Sequence, residues 1–188
     1  MEKIYSHQTD LSRYDNSWYQ PGSRLKILSW FLISRICINT YLPIPVKFKI
    51  LVLNFFGAKI ASSAVIKPKV NIKYPWNLRV EEYVWIGENV WIDSLGMVTL
   101  ESNVCLSQGC MLQTGNHDFT KSTFDLMVKP ITIKKGAWIG AKAVVCPGVT
   151  VGSHALLTIN SVATKNLNPN SIYQGNPAIF VKHRNISS

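Results

Sequence analysis

From Ile60 onward an aliphatic residue returns every six positions, and this period decides what the chain can fold into. The segments read IASSAV, IKPKVN, VEEYVW, IGENVW, IDSLGM, LESNVC and LSQGCM. After an interruption come IKKGAW, IGAKAV, VCPGVT, VGSHAL and LTINSV. Six matches neither the 3.6-residue period of a helix nor the two-residue alternation of an amphipathic strand. It describes a backbone that runs straight for a few residues, turns a corner and repeats, with three units closing one triangular coil. Stacked coils would pair as parallel strands about 4.8 Å apart, with the aliphatic residues filling the prism. Gly87, Asn89, Asn103, Gly140, Gly148 and Gly152 fall at the turns, where tight backbone is needed. Fifteen leading positions from Ile60 to Ala163 make about five coils. The expected class is all-β: a parallel β-helix over 60–167, an N-terminal helical region over 1–59 and a short C-terminal extension over 168–188.

The N-terminal region is apolar and basic, LKILSWFLISRICINTYLPIPVKFKILVLNFF over 25–56. Lys26, Arg35, Asn39 and Pro43 interrupt every window long enough to span a bilayer. Two short helices are expected instead, about 24–40 and 45–56, split by the LPIP turn. Leu28, Phe31, Leu32, Arg35 and Ile36 share one face of the first. Such a face packs on the rest of the protein, packs on a neighbouring subunit, or lies on an anionic lipid surface, and spacing leaves these open. The first residues are polar, with no short apolar run before a cleavage site, so no signal peptide is expected. Cys37, Cys105, Cys110 and Cys146 form no CxxC pair; free thiols, a reducing compartment and no metal site are expected. The net charge is +10, and after Asp125 only Lys129, Lys134, Lys135, Lys142, Lys165, Lys182 and Arg184 carry charge. A polyanionic partner would be drawn there. No nucleic-acid-binding module is recognisable, which turns the expectation toward an anionic cofactor.

The period fails three times. Ile72 to Val80 is eight residues, Ile92 to Leu100 is eight, and Leu112 to Ile133 is twenty-one. These breaks begin twenty residues apart, so they stack on one corner, and the third throws out a loop over 113–132. Long loops in compact domains are often functional. This one, QTGNHDFTKSTFDLMVKP, holds His117, Asp118 and Asp125. On the same corner below it lie YPWN, Tyr74 to Asn77 with Trp76 among them, and Asp93, Ser94 and Leu95. Aromatic rings, an amide and carboxylates beside a histidine suit a polyhydroxylated acceptor such as a sugar. Histidine also suits the work of taking a proton from an attacking hydroxyl. His117 is therefore the candidate base and Asp118 its catalytic companion, while Trp76, Asn77, Asp93 and Asp125 are candidate acceptor contacts. Either loop carboxylate could orient the ring. Cys105 and Cys110 are discounted as nucleophiles.

The phased repeat resembles the hexapeptide-repeat acyltransferases, whose prism is a left-handed parallel β-helix; the handedness is implied by the resemblance alone. The Thr114-Gly115-x-His117 segment and KPITIKKGAWIGAKAVV look like the galactoside and maltose O-acetyltransferases of that family, except that those lack a residue at the place of Asn116. YDNSWYQPGS, FFGAKI, IKYPWNL, WIGENVWIDSLG, CLSQGC, GNHDF, FDLMVKPI and QGNPA look like its exopolysaccharide O-acetyltransferases of the colanic-acid type, which carry that extra residue. The resemblance implies acetyl-CoA as co-substrate, held by Trp138, Ala141, Ile159, Thr164, Lys165 and Lys182, with Arg184 close by. It also implies a homotrimer and a sugar or polysaccharide-precursor acceptor. The implied place is the cytoplasm, with peripheral attachment at the inner membrane face as an option. N-acyltransferases of amino or nucleotide sugars share the prism and a loop histidine. A non-enzymatic solenoid scaffold is the alternative of another class, but it gives no reason for the His loop or the one-sided basic C-terminus. A carbonic anhydrase on the same prism would need three histidines around zinc, and only His117 and His154 fall within the repeats.

Overall fold

A computed structural model describes residues 8–187; the first seven residues of the expected 1–59 region and Ser188 lie outside the described residues. The repeat folds as a parallel β-helix with three faces. The first stacks Lys59–Ile60, Leu78–Val80, Val98–Leu100, Ile131–Ile133 and Thr150–Val151. The second stacks Val65–Ile66, Trp85–Ile86, Cys105–Leu106, Trp138–Ile139, Leu156–Leu157 and Ser171–Gly175. The third stacks Asn71–Ile72, Trp91–Asp93, Met111–Gln113, Val144–Val145 and Val162–Ala163. Five coils are complete. A sixth is partial, because Leu167 still bridges Val151 and Ser171–Gly175 still pairs in parallel with Leu156–Leu157. The hexad stops at Ala163, so this last part carries no periodic mark in the sequence.

Each unit of six has the same physical content. The leading aliphatic ends a two-residue strand and points inward: Ile66, Ile86, Leu106, Ile139 and Leu157 are all fully buried. Four residues on, the narrow corner admits only a smaller side chain, Val70, Val90, Cys110 or Ala143, again buried. Three residues on, the backbone takes a left-handed φ, at Lys69, Asn89, Gly109, Lys142 and Asn160. Asn and Gly adopt that conformation readily, whereas lysine does so at a steric cost of about 1 kcal/mol. The glycine directly after a leading residue serves another purpose. A Cβ on Gly140 would sit 2.6 Å from the Ile159 nitrogen of the next coil, so only a bare backbone fits.

Helix α1 spans Arg24–Cys37 and helix α2 spans Val46–Phe55. Ser23 caps α1 by accepting from the Lys26 N–H at 3.3 Å. The side of α1 that faces the protein is marked by Trp30, whose ring lies 5.1 Å from Phe56 and whose Nε1 donates to the Ile72 carbonyl at 2.9 Å. The apolar stripe of Leu28, Phe31, Leu32 and Ile36 is exposed instead. Helix α2 buries Ile50 and Leu53 on the first coil. Its Lys49 is also buried, with Nζ 3.3 Å from the carbonyls of Ile66 and Lys67, and burial holds its pKa below that of an ordinary lysine. The Asn54 side chain accepts from the Ile60 N–H at 2.9 Å and donates to the Ile60 carbonyl at 3.1 Å, as a neighbouring strand would. At the opposite end, Ser171–Gly175 turns back into Ala178–His183, which pairs with it in antiparallel sense.

Candidate active site

All three breaks in the period fall at the corner between the third and first faces. Pro75–Asn77 fills the first break with a single turn, and the third builds an antiparallel hairpin of Gly115–His117 and Leu126–Val128. Thr114 roots the hairpin. Fully buried, its Oγ1 donates to the Asp93 carbonyl and accepts from the Gly96 N–H at 2.9 Å. Gly115 then passes so close to Leu95 that a Cβ would lie 2.2 Å from its Cδ1.

His117 ends the first hairpin strand. Its ring stacks on Phe124 at 4.4 Å with 8° between planes, and Nδ1 lies 2.9 Å from the Phe124 carbonyl. A carbonyl can only accept, so Nδ1 carries a proton, and in the neutral ring the lone pair is on Nε2. Tyr14 packs on the other side at 5.6 Å. The loop carboxylates are engaged elsewhere. Asp118 accepts from the Thr120 N–H and hydroxyl, which holds its pKa below the ordinary carboxylate value. Asp125 pairs with Lys121 at 2.8 Å and accepts from Thr123 at 2.6 Å, with the same direction of shift, Lys121 being the larger cause. The group that orients the imidazole is thus a backbone carbonyl.

A cavity of about 320 Å³ opens beside His117, lined by Tyr14, Asn16, Tyr19, Lys73, Tyr74 and Leu126 among others. Tyr19 reaches across to donate to the Leu95 carbonyl at 2.7 Å. Burial, with Tyr74 and Asp93 nearby, pushes the Tyr19 phenol well above its usual pKa, so the hydroxyl remains a donor. Among the expected acceptor contacts, Asp93 stands behind the wall. It is buried, and its Oδ1 lies 3.1 Å from Lys73 Nζ, close enough for an ion pair but without hydrogen-bond alignment. Trp76 is a second layer too, stacked on Tyr74 at 5.1 Å and covered by the Lys26 ammonium at 4.3 Å. Asn77 spends its amide on the carbonyls of Ser94 and Leu95, at 3.1 and 2.9 Å. Tyr14, Asn16, Tyr19 and Lys73 were not singled out from sequence. Their available signals were the aromatic and amide-rich YDNSWYQ segment and the position of Lys73 inside the first break.

The hairpin has a second side. There Asn116, Met127 and Lys129 face Cys146, Pro147 and Thr164 across a cavity of about 240 Å³. Of the expected CoA contacts, Thr164 lines this space and exposed Lys165 follows it. The others lie apart. Trp138 is on the second face, 41% exposed, with Nε1 donating to Ser107 at 2.8 Å. Ala141 and Ile159 share the corner between the second and third faces, where Asn160 N donates to the Ala141 carbonyl at 3.0 Å. Lys182 is exposed on the last strand. Arg184 gives its guanidinium to the carbonyls of Gly136 and His154, at 3.3 and 3.2 Å. One chain therefore does not gather this set around His117. Burial pushes the Cys110 thiol up to about 12 and also raises Cys105 and Cys146, which disfavours the thiolate at these three. Among the described residues, no three His, Cys, Asp or Glu side chains converge as a metal site would need.

No family profile matches the chain. Individual proteins do. Over 166 residues it is 31% identical to the colanic acid biosynthesis acetyltransferase WcaF of Escherichia coli K12, an alignment covering 88% of this chain and 91% of that protein. It is 28% identical over 131 residues to the galactoside O-acetyltransferase of the same organism, covering 68% of this chain and 64% of that one. A hexapeptide-repeat acetyltransferase of Vibrio cholerae O1 biovar eltor, solved in complex with acetyl-CoA, superposes with a TM-score of 0.76 at 20% identity and covers 87% of both chains.

Proposed function

The chain belongs to the hexapeptide-repeat acetyltransferases, whose donor is acetyl-CoA, and on that footing we propose that it acetylates a sugar hydroxyl in the making of a surface polysaccharide, with His117 as general base. The observation that carries this reading is the bond between His117 Nδ1 and the Phe124 carbonyl, which in the neutral ring leaves Nε2 as the nitrogen able to accept a proton, on a side chain lining the cavity. The walls fit a sugar: Tyr14, Tyr19 and Tyr74 offer rings, and Asn16 and Lys73 offer polar heads.

In the proposed step the acceptor hydroxyl gives its proton to Nε2 as its oxygen attacks the thioester carbonyl carbon. The carbon–sulfur bond then breaks, and the imidazolium returns the proton to the departing thiolate. An acetyl ester and free CoA result. The region beyond Asp125 suits the phosphates of this co-substrate, since it holds seven cations and no carboxylate side chain. Lys129, Thr164 and Lys165 are the groups nearest the hairpin that would serve.

The reading includes a homotrimer. The outward row of the first face is Lys59, Arg79, Thr99, Thr132 and Thr150. That of the second is Val65, Trp85, Cys105, Trp138, Leu156 and Ile172. The third presents Asn71 on the first coil and then Trp91, Met111, Val144 and Val162. Two adjacent apolar faces of a triangular prism, each covered by the other face of a neighbour, close a ring of three. Trp138 of one copy would then approach the hairpin of the next. Placement at the cytoplasmic side of a membrane, reached by a saccharide precursor, completes the proposal.

The test is CoA release from acetyl-CoA with a panel of saccharides, for the wild type and His117→Ala. Removal of a general base lowers turnover by about 10²–10⁴. Release that continues at the wild-type rate in His117→Ala would remove the histidine from its role.

A further inference from the structure

The outer sides of the two helices are apolar. Leu25, Leu28, Leu32 and Ile36 follow one another at intervals of three and four along α1, each more than half exposed, with Leu25 at 75%. Phe48, Leu51 and Phe55 follow at the same intervals along α2, at 47%, 65% and 83% exposed. An ordinary surface helix turns such a stripe toward its own protein, so two outward stripes signal a missing partner. The charge around them names its chemistry. From Asn16 to Val80 the chain carries ten Lys and Arg residues and no Asp or Glu. Arg24, Arg35 and Lys47 are exposed on the helices themselves, and Arg35 lies 5.1 Å over the Phe31 ring.

We propose that this helical face docks on an anionic lipid bilayer, lying in its interface. The inference extends the peripheral placement given above and identifies the surface that achieves it. A self-complementary contact between two copies would set Arg24, Arg35 and Lys47 against their own equivalents with no carboxylate to offset them, whereas acidic headgroups supply the opposite charge. Spanning is not the mode, because no described helix is long and apolar enough to cross; the 14 residues of α1 reach only about 21 Å. The docked face also adjoins the acceptor cavity. A groove of about 290 Å³ beneath α1 is lined by Ile27, Phe31 and Arg35 and runs to Lys73 and Tyr74, which are walls of the His117 cavity as well. A saccharide carried on a lipid phosphate would enter from that side.

Full-length protein is sedimented with phosphatidylglycerol vesicles and with phosphatidylcholine vesicles, and its oligomeric mass is recorded. The wild type is expected to bind the anionic vesicles, more weakly at high salt. The L28S/L32S and R24E/R35E variants should each lower the vesicle partition coefficient about tenfold or more. Their mass and their acetyl transfer to a water-soluble saccharide should stay unchanged. Absence of wild-type binding, or equal binding by both variants, overturns the proposal. A change of oligomeric mass in L28S/L32S overturns it in favour of an interface between copies. Vesicle binding that follows the expected pattern in a protein with no transferase activity would support docking and sink the proposed function instead.

Discussion

His117 and Phe124 hold each other twice, once through stacked rings 4.4 Å apart and once through Nδ1 and the Phe124 carbonyl at 2.9 Å. The carbonyl sets which nitrogen carries the proton, and the ring sets the plane in which the imidazole lies. Phe124→Ala keeps the first and removes the second. A stacked aromatic pair contributes about 0.5–1.5 kcal/mol, so kcat should fall by up to about tenfold with little change in the Michaelis constant for acetyl-CoA. The His117→Ala/Phe124→Ala double variant should be no slower than His117→Ala alone, because both residues act through one imidazole. Full additivity of the two effects would show that Phe124 acts elsewhere.

The two kinds of turn position predict opposite responses to substitution. Gly140→Ala places a methyl 2.6 Å from the Ile159 backbone and should destabilise the β-helix by about 1–3 kcal/mol, seen as a lower denaturation midpoint. Tyr83 sits at φ +58 and is well exposed, so Tyr83→Gly relieves a left-handed tyrosine and should be neutral or stabilising by up to about 1 kcal/mol. Equal losses at both sites would refute the distinction.

Acid should loosen the hairpin tip before the rest. Asp118 and Asp125 both titrate lower when folded than in an open chain, through bonds from Thr120 and from Lys121 and Thr123. The open form therefore binds the proton first. Their contribution is complete above the ordinary carboxylate pKa of about 4 and is lost as pH falls through the lowered values. The protection factors of amides in 118–125 should fall as pH drops below the ordinary carboxylate range of about 4, while those of the strands are kept. Uniform loss of protection would mean that the tip has no titration of its own.

Much of this architecture was legible because every leading aliphatic occupies the same inward position; Ile86, Leu106 and Ile139 carry the period because each is sealed in the prism. The corner bearing His117 was legible as a failure of that period. The walls contributed by Tyr14, Asn16 and Tyr19 were not. Tyr19 meets Leu95 across 76 residues of sequence, and although Leu95 lies in the IDSLGM unit, Tyr19 belongs to no repeat that would announce the contact. The α1 stripe shows another limit. Spacing puts Leu28, Leu32 and Ile36 on one side of a helix, but only the seating of Trp30 against Ile72 and Phe56 reveals that this side faces away.

The pairing of Asn54 with Ile60 has a consequence beyond the first coil. A stack of equivalent coils contains no instruction to stop, and a bare terminal coil would offer its strand edges to the next molecule along the axis. Here an amide side chain occupies one end and a reversed strand, Ala178–His183, the other. Neither belongs to the repeat, and together they turn a potentially endless stack into a particle of fixed height.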